Sequence, residues 1–357
     1  MRVTSAFAAF SLVGAAYAGL SGSSHSFSHR HQHKRDGTSS DGWKMYKYLT
    51  GDDLIDYFNF DEKASDNQGV ANYVDGKSSG LVYTQSNGKV RIGVDQAEDV
   101  ALRNAVRMSS KETFNPSQNL LFIIDVHQMP SMCGVWPAIW FTGGGTWPET
   151  GEIDLVEGVN SYTQNTMSVH SGDGCWMDAN NVNGAKLNVD PSEGGTNCNA
   201  NANYQSCGVS VNSKTSFGKA ANDVNGASYA LELTTDGIKM WWWNTDHGPV
   251  DVNYGLPTPS SWGNPTLQVD SSTCNTSDHF KDLMLIINTN LGGFFTTGVW
   301  DVDQAGGQEK CCQDVTGFSD ARSYVLSQGS EFGDAAAWVR VHFLLILVRV
   351  LSMENRF

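Results

Sequence analysis

The sequence predicts an all-β chain folded as a sandwich of two antiparallel sheets, and three observations predict it. Short apolar or alternating runs recur at Val90 to Val94, Leu120 to Val126, Gly151 to Val156, Tyr229 to Leu233, Ile238 to Trp243 and Leu283 to Asn288. Clusters of Gly, Asn, Asp and Pro separate them. Long amphipathic helical patterns are scarce. Such a sandwich buries the apolar residues of its inner faces and leaves a concave outer face on which a site can be built.

The chain opens with Arg2 and the small, apolar stretch Ala6 to Ala16, followed by the cleavage pattern Ala16-Tyr17-Ala18. Residues 1–18 read as a secretory signal peptide, too short in its apolar part to span a bilayer. Gly19 to Arg35 is rich in Ser and His and ends in Lys34-Arg35. This 19–35 segment reads as a propeptide, whose removal takes His25, His29, His31 and His33 with it. Residues 36–345 contain no Pro/Ser-rich linker and no internal repeat, so they read as one domain. Ala335 to Val341 is the expected last strand. The apolar run Phe343 to Val348 lies between Arg340 and Arg349 and is too short for a membrane span. Residues 346–357 read as a tail of unassigned role.

Of 23 basic residues, four precede Asp36, which leaves 19 against 38 acidic ones. So acidic a chain repels nucleic acid and anionic membranes and leaves a neutral or cationic partner. Many Asn, Thr, Ser, Gly and aromatic residues suit an uncharged sugar. There are seven cysteines, and in an oxidising compartment most should pair, leaving at least one thiol over. Cys198 with Cys207 would close a short Asn-rich loop. Asn275-Thr276-Ser277 is a glycosylation sequon.

Gly151-Glu152-Ile153-Asp154-Leu155-Val156-Glu157-Gly158 carries the chemistry. Glu152 and Asp154 share a strand face. Glu157 would face the other way on a regular strand, and one bulge residue at Leu155 or Val156 returns it. Three carboxylates on one face repel, which keeps a proton on at least one of them near neutral pH. Glycoside hydrolysis needs that asymmetry: one carboxylate attacks the anomeric carbon while a protonated one serves the leaving oxygen. Three acids at these spacings recur by chance about once in fifteen chains of this length, so the motif alone is weak. Trp136, Trp140 and Trp147 strengthen it, because sugars stack their C–H faces on indoles. Trp147 follows the Gly-rich Gly143 to Gly145, which favours exposure. His170 falls on the next predicted strand, where it can neighbour the carboxylates. Trp241-Trp242-Trp243 must alternate between faces. No metal or cofactor is expected.

The blocks Cys133-Gly134-Val135-Trp136-Pro137-Ala138-Ile139-Trp140, Trp147-Pro148, Gly151 to Asn160, His170 and Gly174-Cys175 together resemble the fungal laminarinases of glycoside hydrolase family 16. The resemblance runs from about Tyr46 to Val341. It implies a β-jelly roll with an open, concave substrate cleft and a double-displacement reaction on β-1,3-containing glucans. It implies Glu152 as nucleophile, Asp154 as its helper and Glu157 as acid/base; secretion is expected from the signal peptide, and a monomer is expected. Trp140, Trp147 and His170 would line sugar subsites, and Arg107 resembles a substrate-contacting arginine. After Leu291 the family often shows Cys-Gly-Asp-Trp, where this chain has Gly292-Gly293-Phe294-Phe295. Phe295 would then stand in for a sugar-stacking Trp, and a cysteine lost there would explain the odd thiol. Two other readings share the fold. A non-catalytic glucan lectin usually lacks one of the glutamates, and a cell-wall transglycosylase typically spaces them by four residues, not the five found here.

Overall fold

Leu120 to Ile124 is apolar without alternation, and the fold buries both of its faces. Leu120, Phe122, Ile124 and Val126 enter the core between two sheets. Leu121 and Ile123 enter a second cluster on the outer side with Trp43, Ala230, Trp241 and Leu347. A strand covered on both sides loses the polar/apolar alternation of a half-exposed one.

The computed structural model describes residues 37–202 and 206–350. The signal peptide, the propeptide and residues 351–357 lie outside these. In chain order the strands are β1 (Trp43–Leu49), β2 (Phe58–Phe60), β3 (Lys63–Ala64), β4 (Ala71–Tyr73), β5 (Val82–Thr84), β6 (Val90–Ile92) and β7 (Arg103–Ala105). Then come β8 (Arg107–Ser110), β9 (Leu120–Gln128), β10 (Val135–Gly143), β11 (Glu152–Glu157), β12 (Thr166–His170) and β13 (Ala185–Leu187). The last are β14 (Cys207–Val211), β15 (Ala227–Thr234), β16 (Gly237–Asn244), β17 (Leu267–Asp270), β18 (Leu283–Leu291) and β19 (Trp338–Arg349).

One antiparallel sheet has the order β17-β16-β15-β9-β19-β6-β5, with β1 also paired to β19. The other has the order β13-β14-β12-β11-β10-β18-β8-β2. A small third sheet, β3-β4-β7, contains a parallel pair. This is the expected jelly-roll architecture, and every run named from the sequence overlaps a strand, though β6 stops at Ile92, β11 starts at Glu152 and β19 starts at Trp338. The second sheet turns Ile139, Phe141, Ile153, Leu155, Met167 and Val169 into the inter-sheet core. Each such side chain gains roughly 1.5–3 kcal/mol from burial. The alternate residues of β10, β11 and β12 are thereby turned outward, and these form the site.

The C-terminal strand corrects the sequence boundary. β19 does not stop near Val341 or Leu345 but continues to Arg349 between β9 and β1. Ile346 is buried in the inter-sheet core and Leu347 in the outer cluster. Ile346 and Leu347 therefore face opposite sides of a central strand, and residues 346–349 belong to the sheet.

Three disulfides form: Cys133–Cys312, Cys175–Cys274 and Cys198–Cys207, the last as expected. The odd thiol is Cys311, which is buried. Of the three consecutive tryptophans, Trp242 packs toward the inter-sheet core, and Trp241 and Trp243 toward the outer cluster.

Candidate active site

β11 contains the expected bulge. Against β10, Val156 pairs with Ile139 and Asp154 with Trp140, leaving Leu155 over. Against β12, Asp154 pairs with Ser168 and Glu157 with Thr166. Glu152, Asp154 and Glu157 therefore oppose Thr142, Trp140 and Ala138. Those three partners are two residues apart, so all three acids share their face. Without the extra residue Glu157 would point into the core.

A residue not read from the sequence holds the bulge. Asn165 is fully buried. Its Nδ2 donates to Leu155 O at 3.0 Å, and its Oδ1 accepts from the Glu157 N–H at 3.0 Å. The two backbone groups that the irregular strand fails to pair are thus satisfied by one amide.

Each acid has its own partners. Trp147 Nε1 donates to Glu152 Oε2 at 3.2 Å, and Trp136 Nε1 donates to Glu157 Oε1 at 2.8 Å. His170 lies directly opposite Glu152 in the β11–β12 register. Its Nε2 is 3.2 Å from Asp154 Oδ2 and 3.9 Å from Glu152 Oε1. Burial, with Asp154 beside it, pushes Glu152 up to about 8, while His170 and the Trp147 N–H oppose the push. Burial pushes Asp154 up to about 7. Burial and Asp154 push Glu157 up to about 7, against the Trp136 N–H and His170. Three groups so placed share protons and titrate as a set, partly protonated near neutrality. Glu152, Asp154 and His170 also bring three ligand atoms within 4.8 Å of one another, a donor set that has room for a cation.

The remaining predicted residues border this triad. Trp147 is 40% exposed, as its Gly-rich approach suggested. Arg107 stacks its guanidinium 4.8 Å from the Trp140 ring centre, and its Nε is 2.9 Å from Asp61 Oδ2. Trp140 Nε1 donates to Asn288 Oδ1 at 2.7 Å, and Asn288 donates onward to the Tyr73 hydroxyl at 3.3 Å. Asp61 carries no local signal of a site, whereas Tyr73 and Asn288 lie in segments, Asn72 to Asp75 and Leu285 to Leu291, that share in the family resemblance. Phe295 is brought to the site but is half-buried, edge-on to Trp136 and Tyr162 at 5.6 and 5.9 Å. Its neighbour Phe294, also edge-on to Trp136 at 5.2 Å, is the more exposed ring.

A jelly-roll sheet carrying paired glutamates among exposed and half-buried indoles is the arrangement the sequence led us to expect of a glycoside hydrolase family. Residues 58–339 match the family described as "XgeA-like, catalytic GH16 domain". The chain belongs to that family. A probable glycosidase of Schizosaccharomyces pombe is 30% identical over 283 residues, which is 77% of this chain and 64% of that protein. Endo-1,3(4)-beta-glucanase xgeA of Emericella nidulans is 30% identical over 270 residues, 73% of this chain and 41% of the relative. The chain thus matches less than two thirds of the length of these relatives. Laminarinase 16A from Phanerochaete chrysosporium superposes with a TM-score of 0.74 at 26% identity, over 85% of this chain and 99% of that one. An elongating GH family 16 beta-1,3-glucosyltransferase superposes with a TM-score of 0.73 at 27% identity, over 86% and 100%.

Proposed function

We propose that the chain is a secreted endo-β-glucanase that hydrolyses β-1,3 or mixed β-1,3/1,4-glucan with retention of configuration. The observation that carries this reading is the bulge that brings Glu152, Asp154 and Glu157 to one face. Glu152 attacks the anomeric carbon. Glu157 gives its proton to the departing glycosidic oxygen, then takes one from the water that releases the product. Asp154, 3.2 Å from His170 Nε2, holds the nucleophile's surroundings in place. Neither step needs a cofactor. The raised values keep protons on the set near neutrality; with Glu152 at about 8 and Glu157 at about 7, the form in which Glu152 is ionised and Glu157 holds the proton is the less populated arrangement of that proton. Trp147 and Trp140 offer ring faces to the sugar, and Arg107 is fixed beside Trp140. The names of the Emericella and Phanerochaete proteins support the substrate class, and the three disulfides suit an oxidising compartment.

Parallel digestion of laminarin and barley β-glucan tests the reading. Both or one should be cut at internal bonds, and Glu152→Ala should abolish cutting. Glu157→Ala should spare substrates whose leaving group needs no proton, with azide restoring turnover. No cutting of either polymer by the correctly folded protein would refute the assignment. N-terminal sequencing of the secreted protein should find Gly19 or Asp36, and an intact Met1 would contradict secretion. A second reading, transfer to another glucan chain, is favoured by the likeness to the elongating glucosyltransferase. Products longer than the substrate in excess acceptor would identify it.

A further inference from the structure

The geometry points to a second sugar-binding site at the sandwich edge, outside the carboxylate cleft. β16 runs to Asn244, but β17 pairs with it only from Gly237 to Met240. Among the described residues no strand covers Trp241 to Asn244 on that side. Segment 182–184 ties the edges of the two sheets there. Val182 bridges to Leu267, the Asn183 N–H donates to Thr266 O, and the Asn212 N–H donates to Gly184 O. A cavity of about 400 Å³ opens beside this crossing, walled by Asn183, Asn212, Trp241, Trp242, Trp243 and Trp262. A neighbouring cavity of about 530 Å³ shares Trp243 and Trp262. Both volumes fall in the range of small-ligand sites.

The walls select the ligand class. No residue lining the first cavity is charged, on a chain whose formal net charge is −15. An ionic ligand would find no counter-charge there. Indole faces suit the C–H face of a sugar ring. The amides of Asn183 and Asn212, with the uncovered edge of β16, suit groups that both donate and accept. A purely apolar ligand would strip water from the exposed Asn212 amide and from that strand edge at a cost, the Asn183 Nδ2 already donating to Asn264 O at 3.0 Å. The occupant with both properties is a segment of neutral polysaccharide. The rings are already fixed. Trp262 Nε1 lies 3.1 and 3.0 Å from the two Asp251 carboxylate oxygens, and Trp241 Nε1 donates to Gly263 O at 3.3 Å. Trp262 stands edge-on to Trp241 and Trp243 at 5.5 and 5.1 Å. Binding therefore orders little that is not already ordered. The sheet order places β14 and β13 between β12 and this edge, and the walls share no residue with the triad. The site would hold a polymer against the enzyme while the cleft cuts it.

That the bound polymer is the same β-glucan rests on the function proposed above. Calorimetric titration of laminarihexaose into the Glu152→Gln protein, which cannot consume it, separates the two. Two classes of site are expected. Trp243→Ala and Asn212→Ala should each weaken one class at least threefold and leave the other, and Trp147→Ala should do the reverse. Trp243 packs on the outer cluster, so its variant is checked by thermal melting. The exposed Asn212 carries the test if that variant unfolds. A single class of site sensitive only to Trp147→Ala, or a second class indifferent to both edge substitutions, overturns the proposal. Binding sensitive only to the edge substitutions would instead sink the glucanase reading and keep the edge site.

Discussion

At the scale of single residues, the two glutamates are distinguished by the indoles and the imidazole beside them. His170 opposes the upward push on Glu152. His170→Ala should therefore raise the pKa of Glu152, and if Glu152 attacks as a carboxylate, the rising limb of the rate-pH profile should move to higher pH. The Trp136 N–H favours ionised Glu157. Trp136→Phe should raise the pKa of Glu157 and move the falling limb, where the acid is lost, to higher pH. If Trp136→Phe moves the rising limb instead, the two roles are exchanged. Trp147→Ala should raise KM several-fold, about 1 kcal/mol of lost stacking, and leave Tm nearly unchanged because the ring is 40% exposed. A collapse of Tm with KM intact would make Trp147 a packing residue. These residues were legible because each sits on a short motif. Asp61 was not, because it reaches Arg107 from a distant part of the chain. Phe294 was hidden behind Phe295. Both begin the helical turn Phe294–Gly298, and only the turn's orientation decides which ring is the more exposed.

At the scale of elements, one extra residue decides the chemistry. The five-residue spacing from Glu152 to Glu157 predicted a bulge at Leu155 or Val156, and the register leaves Leu155 over. What stabilises it was illegible, since Asn165 lies beyond the β11–β12 turn and an Asn there reads as ordinary turn chemistry. Asn165→Ala removes two hydrogen bonds from buried backbone groups. It should cost roughly 1–3 kcal/mol of stability, and should lower kcat more than it raises KM, because Glu157 is displaced while the stacking rings stay. Equal kcat with lowered Tm would confine Asn165 to a structural role. β19 shows the opposite limit. An apolar run of six or so residues reads alike as a tail or a central strand until its partners are known, and here both β9 and β1 flank it.

At the scale of the whole molecule, the triad should be visible in stability. Glu152, Asp154 and Glu157 sit at about 8, 7 and 7 in the fold, whereas unfolded carboxyls titrate near 4. The native state therefore holds protons that the unfolded chain has lost, so these groups cost stability as pH rises from about 4 to 8. Tm should fall by a few degrees between about pH 5 and pH 8. Glu152→Gln should flatten that fall, while a slope unchanged by Glu152→Gln would mean that Glu152 is not the burdened group. Acids held low by local hydrogen bonds, such as Asp75 and Asp320, act the other way and only at lower pH. The two-sheet sandwich was readable because its strands are short, numerous and separated by turn residues. The edge cavity was not, since it arises where β17 stops pairing with β16. The account as a whole stands on Glu152 attacking sugar directly from the shared face. NMR of the first product released from a β-glucan oligosaccharide, recorded before mutarotation, tests this most directly. The account predicts the β-anomer, and an α-anomer would contradict it.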